Sequence, residues 1–293
     1  MNYTLSNGHL EVGFTDFGGT LSSIRDEKGT EYLWQGDKAY WSGTAPVLFP
    51  ICGSIRDDKA KIGDGLETAM PRHGIVRKSN FTFDGMSDDT IHFSTESNEE
   101  TWKKFPYDYK LTTYYELVGK SVNVTYGVEN TGTKDMPFFI GGHPGFNCPL
   151  TEGEDYSDYY VEFEKEENCT VPTPVTETGL IDVEHRTPCL SHERTMDLKH
   201  ELFHKDAIIL DELQSRKIKL LSKKNKVGVE LDFADFPYII LWSTANDGPF
   251  VAIEPWVGLS TCSDESDVFE EKRNVQTVKP GEKKAYTFSI TIL

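Results

Sequence analysis

Side chains that belong in a core recur at every second position through most of this chain, and that period limits what it can fold into. Leu10, Val12 and Phe14 alternate with polar neighbours, as do Leu111, Thr113, Tyr115 and Leu117, then Val122, Val124, Tyr126 and Val128. The pattern returns at Tyr159, Val161 and Phe163, at Val227, Val229, Leu231 and Phe233, and at Tyr286, Phe288, Ile290 and Ile292. Successive side chains of a strand point to opposite faces, so one such face per segment describes strands packed on one side. Turn signals such as Asn7-Gly8, Asp84-Gly85, Asp247-Gly248-Pro249 and Pro280-Gly281 separate the segments. Strands spaced by turns over the whole length predict an all-β chain, a large antiparallel β-sandwich, because an α/β fold would interleave helices. Only two short helices are expected, over 193–204 and 266–272. No Pro/Ser/Gly-rich linker and no fixed-period repeat divides the chain, so a single domain over 1–293 is expected. The stretches 152–158 and 171–194 are expected to be long surface connections.

Charge narrows the partners. Acidic residues outnumber basic ones 48 to 30, a net charge of −18. Such a surface repels phosphate backbones, so nucleic acid and anionic membranes are not expected as partners. No apolar run is long enough for a bilayer, and no basic-then-apolar leader opens the sequence, so a cytoplasmic location is expected. The five cysteines lack a Cys-x-x-Cys pair, which predicts reduced thiols rather than a disulfide framework or a thiolate metal site.

Two places break the strand pattern in a way that points to chemistry. In Phe138-Phe139-Ile140-Gly141-Gly142-His143-Pro144-Gly145-Phe146, an apolar strand runs into two glycines and then a histidine held by proline. The glycines permit a tight turn or a close approach, and proline ends the ladder. In Val251-Ala252-Ile253-Glu254-Pro255-Trp256, a carboxylate closes an apolar strand before another proline. A carboxyl so placed is desolvated, which raises its pKa and its basicity. Each segment alone is equally a turn or a strand rim. Their shared layout of apolar strand, titratable residue and proline favours a common site.

A third cluster, Pro71-Arg72-His73-Gly74-Ile75-Val76-Arg77, sets a histidine between two arginines, which on its own residues reads first as a basic surface loop. Nearby cations keep that imidazole neutral, able to give one hydrogen bond and accept one, as sugar hydroxyls require. Arg56 follows an apolar strand and is free either to fork onto hydroxyls or to pair with a surface carboxylate. Trp34, Trp41, Trp242 and Trp256 are candidates for stacking on a sugar face, against the ordinary role of core filling. His200-Glu201-Leu202-Phe203-His204 matches H-E-x-x-H, the spacing by which a helix offers two imidazoles to zinc. The helix there is too short, and the flanking segments read as strands, so no metal ligands are assigned.

Taken in order, Arg56, His73-Gly74-x-x-Arg77, Gly142-His143-Pro144-Gly145-Phe146 and Ile253-Glu254-Pro255-Trp256 resemble the aldose 1-epimerases, the galactose mutarotase family, in its LacX-like branch. Gly18-Gly19-Thr20-Leu21-Ser22-Ser23-Ile24 and Tyr32-Leu33-Trp34 extend the likeness over nearly the whole chain. The resemblance implies a galactose mutarotase-like supersandwich and an isomerase that interconverts the anomers of an aldohexose. It implies no metal or organic cofactor, and a monomer or homodimer whose partner is a small sugar. By position, Glu254 matches the general base and His143 the general acid, expected on opposite sides of one sugar ring. His73, Arg56 and Asp206 match substrate-binding residues, and Arg77, Trp256 and Phe146 complete the expected substrate-binding set. Two rival readings remain at this point: a mutarotase for hexose 6-phosphates, with arginines for the phosphate, and a carbohydrate-binding protein without turnover. The residues after His143 and after Pro255 depart from the galactose enzymes and alter the pocket wall, so the sugar is not carried over.

Overall fold

All but the first of the alternating segments lie in one nine-stranded antiparallel sheet in the computed structural model, which describes residues 1–293. In spatial order the strands are Leu180–Asp197, Tyr159–Val175, Lys217–Ser222, Gly228–Asp232, Lys283–Ile292, Ser121–Asn130, Tyr109–Val118, Thr90–Glu96 and Thr82–Met86. Val122, Val124, Tyr126 and Val128 are buried, as are Tyr286, Phe288, Ile290 and Ile292, while their neighbours in sequence face outward. Thr113 also points inward, and its hydroxyl and that of Tyr115 both donate to the Gly19 carbonyl at 2.7 Å. That pairing satisfies two polar atoms that burial would otherwise leave unbonded.

A second antiparallel sheet carries the site. Its order is Ile208–Leu210, Tyr238–Trp242, Phe250–Trp256, Gly141–Gly142 and Val47–Leu48, and Gly145–Asn147 also pairs with Phe250–Trp256. A three-stranded sheet of Asn2–Ser6, Leu10–Thr15 and Thr20–Asp26, a small hairpin of Lys59–Ile62 and Leu66–Ala69, and the pair Met136–Phe138 with Gln276–Val278 complete a large antiparallel β-sandwich. One continuous cluster of 71 buried residues links the layers. The two main sheets touch at Gly142, where an added Cβ would lie 3.0 Å from Phe288 and from the Tyr126 hydroxyl. Glycine there is a packing requirement: the strand bearing the site lies against the large sheet with no side chain between.

Three expectations fail. The stretch 171–194 is not a surface connection, because it lies within Tyr159–Val175 and Leu180–Asp197, a long hairpin at the sheet edge. Its pairing shifts register at four places and includes Pro172, Pro174 and Pro188, which erases the period-two signal. The helix expected over 193–204 is the end of that edge strand followed by one 3₁₀ turn, His200–Phe203. The helix expected over 266–272 contracts to the 3₁₀ turn Phe269–Glu271. The stretch 152–158 is a largely exposed connection anchored by buried Tyr156.

Gly142→Ala is expected to lose about 1–3 kcal/mol of stability by overpacking the contact between the sheets. Urea unfolding measures it, and an unchanged midpoint would mean that Phe288 yields freely.

Candidate active site

Strand Phe250–Trp256 is buried along its whole length, and it decides where the chemistry sits. Gly141 pairs with Trp256 and Gly145 with Ala252, so the antiparallel register sets His143 directly opposite Glu254. On the other flank Ile240 faces Glu254. Residues opposed in an antiparallel pair share one face of the sheet. The His143 side chain therefore meets the Glu254 carboxyl, with Nε2 3.2 Å from Oε2, although not in hydrogen-bond alignment. The His143 amide donates to the Pro46 carbonyl and the Ile253 amide to the Pro144 carbonyl, which fixes the backbone on both sides of the imidazole. The expectation that acid and base stand on opposite sides of a sugar ring is corrected here. The two groups are in contact.

The pair is almost dry. Glu254 is 1% exposed and His143 6%. Burial pushes the Glu254 carboxyl well above its usual range, against the Trp256 indole, and nearby Asp206 adds to the rise. Burial also pushes the His143 imidazole down to about 3, a fall partly offset by its own backbone carbonyl and deepened by Arg77. Both shifts disfavour separated charge and favour a neutral carboxyl beside a neutral imidazole. His143 Nδ1, Glu254 Oε2 and the Trp256 indole N–H are all buried without a hydrogen-bond partner. Orphaned polar atoms of this kind are rare in folded proteins, and three in one place mark a surface built for a polar ligand.

These groups open on a cavity of about 210 Å³ that is also lined by Trp41, Arg72, His73, Arg77, Asp206 and Trp242. That is smaller than the ~300–1,000 Å³ typical of sites for drug-sized molecules, and it suits a single small ring. His73 arrives on a tight turn. Its φ is 68°, its amide donates to the Gly53 carbonyl, and Gly74 follows at φ 78°. A Cβ at Gly74 would fall 2.1 Å from the Phe49 carbonyl oxygen, so both the conformation and the space demand glycine. The Gly53 amide donates to His73 Nδ1 at 3.2 Å, which leaves Nε2 to carry the proton. Burial, followed by His143, Arg77 and Arg72, drives the His73 pKa well down. Arg77 is itself lowered by burial and by Arg72, and neither arginine has a carboxylate partner.

Of the residues singled out from the sequence, Glu254, His143, His73, Asp206, Arg77 and Trp256 meet at this cavity. Arg56 does not. Its guanidinium is bound to the Asp267 carboxylate and the Glu265 carbonyl, the surface-pair outcome for that residue. Arg72 supplies the second cavity cation instead, and its position in the same seven-residue cluster as His73 was the available signal. Phe146 is also not in the wall: it is fully buried in Gly145–Asn147 and pairs with Val251. Trp34 packs on Phe250, whereas Trp41 and Trp242 line the cavity. Pro46, Ala207 and Ile240 carry no chemical signature in the sequence and enter the wall only through the fold. His200 and His204 do not share a face, because a 3₁₀ turn advances three residues per turn rather than 3.6. His200 stacks on Tyr156, and His204 bonds Asp247 at 2.8 Å.

The profile of the aldose 1-epimerase family matches residues 1–291. The chain is 46% identical to the chromosomal Protein LacX of Lactococcus lactis subsp. lactis, over all of both chains. Among solved structures, a galactose mutarotase related enzyme from Lactobacillus acidophilus superposes with a TM-score of 0.94 at 29% identity, covering 100% of this chain and 97% of that one. A galactose mutarotase-like protein from Lactobacillus casei gives 0.88 at 29% identity, with both chains fully covered.

The depressed His143 pKa ties the site to stability. Below its ordinary pKa of 6.5 the unfolded imidazole binds a proton that the folded one refuses until about pH 3. The unfolded state then holds more protons, so stability falls as the pH falls. Glu254 has the opposite sign, losing stability as pH rises from 4.5 towards its raised folded value, and so works against His143 above pH 4.5. Between pH 4.5 and 3 the imidazole acts alone, at about 1.4 kcal/mol per pH unit. Urea unfolding of wild type and His143→Asn across that window is expected to show the variant losing less. Parallel curves would mean that His143 is protonated in the fold.

Proposed function

From the premise that this chain belongs to the aldose 1-epimerase family, we propose that it interconverts the α and β anomers of an aldohexose by opening and closing the pyranose ring. The observation that carries this reading is the contact of one buried carboxyl with one buried imidazole on the wall of a cavity sized for a single small ring. Ring opening removes a proton from the C1 hydroxyl and delivers one to the ring oxygen. Both oxygens are bonded to C1, so the acid and base that serve them have to be neighbours, as His143 and Glu254 are.

In the forward step Glu254, as carboxylate, takes the C1 hydroxyl proton. The O–H electrons form the carbonyl, the bond from C1 to the ring oxygen breaks towards oxygen, and His143, as imidazolium, protonates that oxygen. The open chain turns about C1–C2 and closes on the other face by the reverse transfers. Ring opening leaves a protonated carboxyl and a neutral imidazole, which is also the resting state that burial favours. The pair holds one proton before and after, so it needs no exchange with solvent between turnovers. His73 Nε2–H, Asp206, Arg72 and Arg77 would hold ring hydroxyls, and Trp256 and Trp242 would cover the apolar face of the sugar.

A second reading is favoured by one specific observation. Arg72 and Arg77 both face the cavity without a carboxylate partner, in a chain of net charge −18. A sugar bearing a phosphate would supply the missing anion. The rates of anomerisation of glucose and glucose 6-phosphate, followed side by side, separate the two readings. A binding protein without turnover has no use for the paired acid and base.

Glu254→Gln and His143→Asn are each expected to lower kcat by ~10²–10⁴-fold, the usual worth of a positioned proton transfer, with folding intact by circular dichroism. Polarimetry of freshly dissolved galactose or glucose reads the rate. Near-normal activity in Glu254→Gln would falsify the assignment. The rate is expected to be bell-shaped in pH: it falls on the acid side when the pair gains a second proton and on the basic side when it loses its only one.

A further inference from the structure

Beyond its contact with Glu254, the imidazole of His143 is enclosed by rings. Trp41 lies flat against it, with centroids 4.7 Å apart and planes at 27°. Trp242 and His73 stand nearly perpendicular to it, with centroids at 5.5 and 5.4 Å. Trp41 in turn lies near-parallel to Phe250 at 5.5 Å, and Phe250 to Trp34 at 4.8 Å, so a run of stacked rings ends on the imidazole. Two glycines make room for this run. A Cβ at Gly145 would lie 2.9 Å from the Trp41 ring and 3.2 Å from Trp34, and one at Gly43 would lie 2.5 Å from the Trp41 ring. The loop is tied along the same segment. Thr44 and Pro46 carbonyls accept from the Gly145 and His143 amides, and the Trp34 indole donates to the Trp41 carbonyl at 2.8 Å.

We propose that Trp41 is a positioning residue for the reaction: its indole face holds the His143 imidazole against Glu254 and stabilises the imidazolium that protonates the ring oxygen. The proposal rests on the mutarotase reading above. The charged and titratable groups around His143 are Glu254, His73 and Arg77, with Arg72 and Asp206 further along the same cavity wall. Arg77 repels an imidazolium, His73 is neutral, and Glu254 gives up its negative charge as it takes the substrate proton. The face of Trp41 lies flat against the ring and favours positive charge on His143, because a cation over an indole is attracted by the ring quadrupole. Gly145 belongs to the same device. It stands two residues beyond His143, and its missing side chain lets the indole slide over the ring.

The test compares wild type with Trp41→Leu, Trp41→Phe and Gly145→Ala. In the one-proton pair, the form with carboxylate and imidazolium is the minor one, and losing the indole makes it rarer still. Trp41→Leu is expected to lower kcat about tenfold on the plateau and the basic limb and to converge on wild type below the acid limb, with KM within about threefold. The acid limb of the rate profile is expected to move about one pH unit lower, because the second proton enters on the imidazole, while the basic limb stays in place. Trp41→Phe keeps a π face and is expected to recover most of the loss, and Gly145→Ala to mimic Trp41→Leu by displacing the indole. A rise in KM with kcat and both limbs unchanged overturns the proposal and makes Trp41 a wall residue only. A double-mutant cycle of Trp41→Leu with His143→Leu, read by urea unfolding, measures the contact without turnover, and zero coupling also overturns it. Absence of anomerisation in wild type sinks the mutarotase reading, whereas the cycle still reports the stack.

Discussion

The structure turns on one pairing between strands. With Gly141 against Trp256 and Gly145 against Ala252, His143 has no place except across from Glu254. A slip of one residue would send one side chain to the opposite face and dissolve the site. The register is held by groups that resist such a slip. Pro144 cannot donate to the ladder, Phe146 is locked in the core beside Val251, and Gly142 lies against Phe288 and Tyr126 of the large sheet. The packing of the sandwich and the geometry of the site are therefore one constraint.

Burial then determines what the paired groups do. Two titratable groups in contact and away from water resist charge separation, and here both shifts favour the neutral carboxyl beside the neutral imidazole. That arrangement suits a reversible reaction in which a proton leaves one oxygen and another arrives at its neighbour on the same carbon. The surrounding cations, Arg72 and Arg77, are kept off carboxylates even though the chain is strongly acidic. They help to hold His73 neutral, with a single proton to give.

Much of this was legible in the sequence because it is local. Period-two alternation identified the strands of the large sheet, since a strand with one wet face writes its orientation directly into its residues. The Gly-Gly-His-Pro-Gly-Phe and Glu-Pro-Trp segments stood out because a titratable residue between an apolar strand and a proline is costly without a purpose. The long edge hairpin was not legible. Its prolines and register shifts broke the period, and an edge strand with exposed side chains has little apolar pattern to show. Arg56 was misplaced for a related reason: a cation after an apolar strand looks alike whether it faces a cavity or, as here, the Asp267 carboxylate.

By itself the sequence determined the antiparallel β architecture, the acidic surface and the short list of residues able to do proton chemistry, since each follows from side-chain type and spacing along the chain. Only the tertiary structure decided that His143 and Glu254 touch rather than face each other across a ring, that Arg72 and not Arg56 enters the cavity, and that Trp41 lies over the imidazole. Those contacts join segments about a hundred residues or more apart. Such distances are set by how strands pair and how sheets pack, and no local pattern encodes them.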